Sequence, residues 1–339
     1  MTKIWIDIKN SHEPAFFKPF INKFNDYEYF ISSRKYAEIQ KLLHQMQIEN
    51  KVIGGHYGGN KIKKLWGLIA RETLLLLNTP DFDVSLSHGS AHAAHVAKIR
   101  SKKTISFIDN EKAGFANKIL LRFVDYLITP KALHVGSLIE QGAKEENIIQ
   151  YNGFKEDIYV ADYKPDPKFT SLLPFDNFIT IRPEALQAAY VKDKHSIVSD
   201  LIREFNKENI NILYLPRYDS DHNLVKGMNV FVPDSALNGL DVCYYSNAIL
   251  TGSGTFAREA ACIGTPAISF FPEELLAVDQ NMVDDGRIFH SRDPEDIVDY
   301  VLKSKKRYVD TSRSKNVQRD VFCIMKNIFN EINFGGGNI

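Results

Sequence analysis

Short apolar runs alternate with longer amphipathic segments along the first half of the chain. The runs have the length and apolar content of buried strands, and they lie at Lys3–Ile8, Tyr27–Ser32, Val52–Ile53, Asp83–Ser87, Thr104–Ile108 and Tyr126–Thr129. The segments between them repeat apolar residues at helical spacing and predict helices over Phe16–Phe24, Arg34–Gln47, Lys61–Leu77, Ala91–Ile99, Lys112–Phe123 and Ala132–Gln141. Regular alternation of strands and helices is typical of a parallel α/β sheet.

This pattern is interrupted at Lys155–Asn177, which contains three prolines and no clear period. It resumes with a strand at Phe178–Ile181 and ends in a long helix over Ser314–Ile332. We therefore predict an N-terminal Rossmann-like domain over residues 1–160, a linker over 161–177, a C-terminal domain over 178–312 and a closing helix over 313–333. Two doubly wound domains that face each other would place a ligand cleft at the carboxyl ends of their strands.

The stretch Thr251–Phe270 predicts the end of a strand, a turn of small residues, a helix and a second strand. Ser253 or Thr255 can cap the helix, which ends at Gly264. A turn of this kind lets an anionic group approach backbone amides at the positive end of the helix dipole. Glu259, one turn further, could then reach the hydroxyls of an attached sugar. The alternative is an ordinary capped turn with a solvated glutamate.

Several polar residues follow predicted strands of the first domain, where a cleft would lie. His12 follows the first strand and could act as a general base, because an imidazole has an unperturbed pKa of about 6.5. His88 and Ser90 belong to a second candidate anion-binding turn. Asp109 and Glu111 follow a further strand and suit a catalytic role. The alternatives are local hydrogen bonding for His12 and capping of the following helix for the two acids.

Metal binding is disfavoured by the sequence, and no cofactor is expected. His88, His92 and His95 have the spacing of one helical face, but no cysteine or further histidine pattern completes a zinc site. Asp219-Ser220-Asp221 has a form used for metal–diphosphate binding, although such short acidic triplets are frequent by chance.

Two arginines follow successive predicted strands of the second domain. Arg182 comes directly after one strand, and Arg217 has the same relative place after the next. A guanidinium group is always charged and binds oxyanions through two parallel hydrogen bonds, which suits a diphosphate.

The helix predicted over Phe16–Phe24 carries four phenylalanines at helical spacing, namely Phe16, Phe17, Phe20 and Phe24. This spacing predicts that their side chains lie in the core. The alternative is that they dock on a membrane or a lipid acceptor.

Composition narrows the classes of partner. The 42 basic and 42 acidic residues give a formal charge of zero, which argues against nucleic acid or an anionic membrane as the main partner. The three cysteines are far apart and show no ligand spacing. Lys3 and Asp7 interrupt the only early apolar run, so we predict no signal peptide and a cytoplasmic location.

The residues carry a resemblance that covers nearly the whole chain. It rests on IWIDIKNSHEPAFFKPF, PDFDVSLSHGS, SFIDNE, ITIRPEA, ALNGLDVCYYSNAILTGSGTFAREAACIGTPAISFFP and the closing helix. In these segments the chain resembles a family of predicted glycosyltransferases of archaea and bacteria, catalogued as a domain of unknown function. That family is similar in turn to GT-B glycosyltransferases and to non-hydrolysing UDP-N-acetylglucosamine 2-epimerases.

The resemblance implies a GT-B-like fold with an acceptor-side first domain, a nucleotide-sugar-binding second domain and a closing helix that returns to the first. It implies that Ser253, Gly254 and Thr255 hold the diphosphate, that Glu259 binds the ribose, and that Arg182 supports the donor. His12 resembles a histidine near the acceptor, while His88, Asp109 and Glu111 lie in segments that act at the sugar in the epimerases.

Two residues depart from the epimerase pattern. Ser90 stands where those enzymes usually have an aspartate, and Arg217 stands close to the place of a catalytic histidine. The expected activity is therefore metal-independent transfer of a sugar from a nucleoside diphosphate, with UDP as the expected nucleotide, to a hydroxyl acceptor, in synthesis of cell-envelope or surface polysaccharide. The alternatives are an epimerase and a non-catalytic sugar-nucleotide binder. The acceptor could be a saccharide or lipid-linked, with at most peripheral membrane contact.

Overall fold

The computed structural model describes residues 2–55, 61–187, 191–305 and 311–335. Its chain forms two compact units. The first contains Met1–Tyr159 together with Asn316–Ile339, and the second contains Val160–Lys315. The assignment of an acceptor-side and a nucleotide-sugar-binding domain stays a prediction.

The first unit is built on a seven-stranded sheet in which every pair of neighbours is parallel. Its strands are β1 (Lys3–Ile8), β2 (Glu28–Ser33), β3 (Lys51–Val52), β4 (Val84–His88), β5 (Lys103–Phe107), β6 (Tyr126–Pro130) and β7 (Ile148–Tyr151). Their order across the sheet is β3-β2-β1-β4-β5-β6-β7. The chain therefore adds strands on one side of β1 and then on the other.

The helices of the first unit are α1 (Glu13–Lys23), α2 (Ala37–Gln45), α3 (Lys61–Asn78), α4 (Ala91–Ile99), α5 (Phe115–Leu120), α6 (Val135–Glu140) and α7 (Lys155–Val160), the last of which ends at the boundary between the units. The final helix, Ser312–Gly335, enters this unit at Asn316 and is labelled α13 by its place in the chain. Pro14 lies in the first turn of α1, as predicted, because its missing N–H has no partner there in any helix.

An aromatic cluster fixes α1 in the core of the first unit. Phe16, Phe17 and Phe20 are buried, which confirms the core interpretation of their helical spacing. The ring of Phe20 lies 5.4 Å from that of Phe322 in α13, and the ring of Phe24 lies 5.3 Å from that of Phe329. The closing helix therefore packs on α1 through edge-to-face aromatic contacts.

The second unit is built on a five-stranded sheet whose paired strands are also parallel. Its strands are β8 (Ile179–Arg182), β9 (Ile212–Tyr214), β10 (Ile249–Thr251), β11 (Ala267–Ser269) and β12 (Ile288–His290), in the order β12-β11-β10-β8-β9. Its helices are α8 (Val198–Lys207), α9 (Gly239–Tyr245), α10 (Gly254–Ile263), α11 (Ala277–Asp284) and α12 (Pro294–Lys303). The prediction of two parallel α/β sheets is confirmed.

Local differences from the predicted elements have identifiable causes. The helix predicted over Lys112–Phe123 is divided into a 3-10 turn, α5 and a second 3-10 turn, because Gly114 adopts a φ of 52° that no α-helix allows. The apolar residues near Val230 form a single bridge, between Leu213 and Phe231, rather than a strand. The irregular stretch that begins at Lys155 opens with α7, ahead of the linker predicted over 161–177.

The glycine-rich segment after the strand predicted at Val52–Ile53 lies partly outside the described residues, because these omit residues 56–60. Residues 336–339, which follow the closing helix, lie outside them as well. Among the described helices, none is long and apolar enough to cross a membrane.

Candidate active site

Each sheet has one position where the chain stops adding strands on one side and begins to add them on the other, and several candidate residues lie at the ends of the strands that flank it. In the first sheet this reversal lies between β1 and β4; His12 follows β1, and His88 is the last residue of β4. In the second it lies between β8 and β10, where Arg182 ends one strand and Ser253 follows the other. Ligands of doubly wound sheets bind outside the carboxyl ends of strands at such reversals.

A buried ion pair holds the first reversal together. Asp7, near the end of β1, accepts hydrogen bonds from both terminal nitrogens of Arg71, at 2.6 and 3.0 Å. It also accepts from the hydroxyls of Ser32 and Ser90, each at 2.7 Å. Burial alone would raise the pKa of Asp7, but these partners lower it to about 2. Ser90 is buried, and its hydroxyl oxygen also accepts the backbone N–H of Ala93, so this side chain caps α4.

The turn after β1 encloses a second buried carboxylate, Glu13. Its oxygens accept hydrogen bonds of 2.7 Å from the backbone N–H of Lys9 and from the side-chain amide of Asn10. Burial raises the pKa of Glu13 from its ordinary value of 4.5 to about 7, against the opposing effect of Lys9. The Lys9 ammonium donates to the carbonyl of Gly89 and so ties the turns after β1 and β4 together. Burial lowers the pKa of Lys9.

The structure brings three predicted residues of the first unit together. The ring of His12 meets the ring of buried His88 edge-on, with centroids 5.2 Å apart. Nε2 of His88 lies 3.6 Å from Oδ1 of Asp109. The other carboxylate oxygen of Asp109, Oδ2, pairs with the buried ammonium of Lys155. Burial lowers the pKa of His88 to about 4, so this imidazole is neutral at pH 7. Lys155 donates a second hydrogen bond, of 2.8 Å, to Glu156.

His12, Glu13 and His88 each offer one ligand atom within 4.8 Å of the other two, a spacing that a metal ion could use. Lys9 adds a positive charge beside these ligands, since it contributes to the electrostatics of both Glu13 and His88. The other histidines of the sequence motif turn elsewhere. His92 and His95 both face Glu72, at 3.5 and 2.8 Å, so the three histidines do not converge.

Glu111 lies just beyond this cluster, in the 3-10 turn Glu111–Ala113, and is partly exposed. The capping role considered for Asp109 and Glu111 belongs instead to Asn110, whose side-chain oxygen accepts the N–H of Lys112. An amide with a short side chain performs this function as well as a carboxylate. Asp109 is free of that role and pairs with Lys155 instead.

Arginines occupy two neighbouring strand ends of the second sheet. Arg182 is paired in register with Thr251, and its carbonyl accepts the N–H of Gly252 at 3.2 Å. Its guanidinium lies 5.9 Å from the ring centre of Phe256. The N–H of Leu215 donates to Ile181, so the chain leaving β9 stays beside β8 up to the residues that precede Arg217.

Arg217 is held by its backbone rather than by its side chain. Its backbone N–H donates to Asp221 at 2.8 Å. Its Nε and Nη2 atoms are buried, and neither has a hydrogen-bond acceptor in the part of the chain that the structure describes. Buried guanidinium nitrogens are normally hydrogen-bonded, which makes this side chain a candidate for binding an anion.

The turn after β10 is packed too tightly for any side chain at its glycines. A β-carbon at Gly252 would lie 2.6 Å from the Cα of Glu184, and one at Gly254 would lie 2.8 Å from a carboxylate oxygen of Asp279. Asp279 pairs with the buried guanidinium of Arg258. An anion bound at the start of α10 would therefore lie at the same end of the helix as the Asp279 carboxylate, whose negative charge is balanced by Arg258.

Ser253 occupies the N-cap position of α10, as predicted, but its side chain makes no capping hydrogen bond to a described residue. The first amides of a helix have no intrahelical partner, so they point towards the space before Gly254. Thr255 lies in this first turn and accepts a 3.4 Å hydrogen bond from Arg258. Glu259 follows one turn later, half-buried, with its carboxylate beside Gly239 of α9.

The fold is that of the GT-B-like nucleotide-sugar enzymes. A UDP-GlcNAc 2-epimerase of Methanocaldococcus jannaschii, solved with UDP-GlcNAc and UDP, is similar with a TM-score of 0.69 and 17% identity, over 96% of this chain and 100% of that one. The UDP-GlcNAc 2-epimerase of Neisseria meningitidis, solved with UDP-GlcNAc, gives a TM-score of 0.73 at 12% identity, over 97% and 100% of the two chains. At such identities the similarity establishes the fold alone.

Residues 2–333 match the family described as "Protein of unknown function (DUF354)", and the chain belongs to that family. An uncharacterized protein of Methanocaldococcus jannaschii is 27% identical over 317 residues, which is 88% of this chain and 90% of the relative. The resemblance inferred from the sequence motifs is thereby confirmed for the family and for the GT-B-like fold.

Sequence reasoning missed the residues that position this cluster, namely half-buried Lys9 and buried Glu13, Arg71, Lys155 and Glu156. Lys9 and Glu13 lie near His12 in the segment IWIDIKNSHEP, where a charged residue next to a buried strand is a sequence signal that could have identified them. Arg71 and Lys155 are distant in sequence from their partners, and no pattern in the chain connects them.

Proposed function

We propose that the protein is a glycosyltransferase that binds a nucleoside-diphosphate sugar with its second unit and transfers the sugar to a hydroxyl acceptor. The observation that carries this proposal is the guanidinium of half-buried Arg217, whose buried Nε and Nη2 atoms lack an acceptor in the described chain. It follows β9, and the neighbouring strand β8 ends in Arg182. Two permanently charged groups at adjacent strand ends suit the two phosphates of such a donor.

The start of α10 extends this anion site. Its first-turn amides carry the positive end of the helix dipole, and Gly252 and Gly254 let this turn pack closely against Glu184 and Asp279. Glu259 then binds the ribose hydroxyls, one helical turn away from the phosphates. In the transfer step, Arg182, Arg217 and these amides stabilise the charge that develops on the departing diphosphate.

The first unit supplies the base in this proposal. His12 removes the proton of the acceptor hydroxyl as its oxygen attacks the anomeric carbon, and the bond from that carbon to the diphosphate oxygen breaks. His88, neutral at pH 7 and beside Asp109, packs edge-on against the His12 ring and fixes its orientation. His88 is thus a positioning residue.

The solved relatives suggest epimerization as the competing activity, and the environment of Ser90 weighs against it. Ser90 stands where the epimerases usually have an aspartate, and here its hydroxyl is committed to Asp7 and to the cap of α4. A buried hydroxyl in this position cannot take the part of a carboxylate in proton transfer.

Incubation of the purified protein with UDP-N-acetylglucosamine separates the activities. NMR of the sugar should show no epimerization without an acceptor, while addition of a panel of saccharide and lipid-linked hydroxyl acceptors should yield a glycosylated product and UDP. Conversion of the sugar at carbon 2 without an acceptor would establish an epimerase and overturn the proposal. Saturable binding without any turnover would leave only a binder.

A further inference from the structure

The segment that follows Asp109 presents an apolar stripe to the solvent. Phe115 is 73% exposed and Phe123 is 37% exposed, with half-buried Ile119 between them. The three residues are spaced by four along α5 and the 3-10 turn Leu121–Phe123, so they lie along one side of the helical segment. We refer to this stripe, together with Lys112, Lys118 and Arg122, as the α5 surface.

The opposite side of the same segment provides the packing that holds it in place. Asn117, Leu120 and Leu121 are buried, and the Asn117 amide donates to the carbonyl of Asn110 and to the side chain of Gln141. The core therefore does not need Phe115, which projects from a segment that is already fixed. A large aromatic side chain this exposed, with a second one two turns away, is typical of a surface that meets an apolar partner.

The charges around the stripe identify the kind of partner. Residues 112–123 include three basic side chains, all exposed, and no aspartate or glutamate, although the whole chain has a net charge of zero. A helix with aromatic and aliphatic residues on one side and lysine and arginine beside them lies in the interface of an anionic bilayer. Its apolar groups enter the acyl boundary while its cations meet the headgroups.

We propose that the α5 surface docks the protein on an anionic membrane. Phe115 inserts at the headgroup level, while Phe123, whose ring packs edge-on against that of His95, borders the inserted group. Lys118 and Arg122 meet acidic lipid headgroups. The surface begins three residues after Asp109, which belongs to the cluster around His12. If the proposed transfer reaction is correct, and this step rests on it, the docked enzyme takes an acceptor hydroxyl carried by a membrane-anchored molecule.

Sedimentation with lipid vesicles tests the docking without any sugar nucleotide, so its result is independent of the enzymatic activity. The full chain should pellet with phosphatidylcholine vesicles that contain about one third phosphatidylglycerol, and much less with pure phosphatidylcholine. Binding should weaken strongly between about 0.1 and 0.5 M salt, because the Debye length falls about twofold, from about 10 Å to about 4 Å. Phe115→Asp should reduce the partition coefficient onto the anionic vesicles by about tenfold or more. The double variant Lys118→Gln/Arg122→Gln should reduce the same coefficient by about fivefold for each charge removed.

Leu302→Asp is the matched control, because Leu302 is 52% exposed on α12 in the second unit. It should bind vesicles like the unaltered chain. Phe115→Ala provides a second variant if the aspartate disturbs folding, which thermal unfolding would reveal. Equal pelleting with neutral and anionic vesicles, or unchanged binding by both Phe115 variants, would overturn the proposal. Self-association that Phe115→Ala abolishes, with no vesicle binding, would assign the surface to a second copy of the chain and overturn it as well.

Discussion

Replacing Glu13 with glutamine should change how the stability of the first unit depends on pH. Glu13 is fully buried, and burial raises its pKa from 4.5 to about 7. Between these values the folded protein holds a proton that the unfolded chain has released. The free energy of unfolding must therefore fall as the pH rises through this window, since the native state binds more protons than the unfolded state.

The size of the effect follows from the shift of the pKa. Each pKa unit corresponds to about 1.4 kcal/mol, so the wild type loses about 3 kcal/mol from this group between pH 4.5 and pH 7. Glutamine cannot ionise, but its amide has a single accepting oxygen, so the variant loses one of the two hydrogen bonds that Glu13 accepts from Lys9 and Asn10 at every pH. Between pH 4.5 and pH 7 the stability of Glu13→Gln relative to wild type should therefore rise by about 3 kcal/mol, whatever the constant cost of that hydrogen bond.

Urea unfolding followed by tryptophan fluorescence is the assay. Both tryptophans, Trp5 and Trp66, belong to the first unit, so the signal reports that unit. Glu49→Gln, at an exposed position of the same unit, controls for the loss of a carboxylate. A difference between Glu13→Gln and wild type that stays constant from pH 4.5 to pH 8 would refute the assignment of a protonated Glu13.

Three further substitutions test the other parts of the molecule. Asp7→Asn removes the counterion of buried Arg71 and should lower the free energy of unfolding by about 3–5 kcal/mol in the same assay, whereas Asp81→Asn, at an exposed ion pair, should have a much smaller effect; equal losses would contradict the importance of burial. His12→Ala should reduce turnover by about 100-fold or more while the Kd for the donor stays within about twofold, and full transfer activity would remove it from the mechanism. Glu259→Ala should weaken binding of UDP-sugars by about tenfold in calorimetry, and an unchanged Kd would exclude its ribose contact.

Much of the fold followed from the sequence because hydrophobic periodicity and strand–helix alternation are local signals. The helix α12 is an example, since the adjacent Asp293 and Pro294 are a local start signal and the Asp293 side chain caps the helix. The failures occurred where one residue overrides the periodicity. Gly114 breaks the helix predicted over Lys112–Phe123, and Phe115, the residue that follows the break, is exposed.

The candidate site could be predicted only in part, because strand ends are visible in the sequence while long-range pairs are not. His12, His88 and Asp109 were found from their places after strands, and the structure brings them together. The partners that set their charge states were not found, since Lys155 is 46 residues away from Asp109 and lies in a segment that resembled a linker.

We expect the second unit to bind a nucleoside diphosphate through Arg217. Isothermal titration calorimetry of the purified full chain with UDP measures this binding. The unaltered protein should show saturable binding, and Arg217→Ala should weaken that binding by about tenfold or more, because a charge-assisted hydrogen bond is lost. Arg203→Ala, at an exposed arginine of α8 in the same unit, should bind UDP like the unaltered chain. An unaltered protein that does not bind UDP or any other nucleoside diphosphate, or an Arg217→Ala variant that binds equally tightly, would contradict the claim.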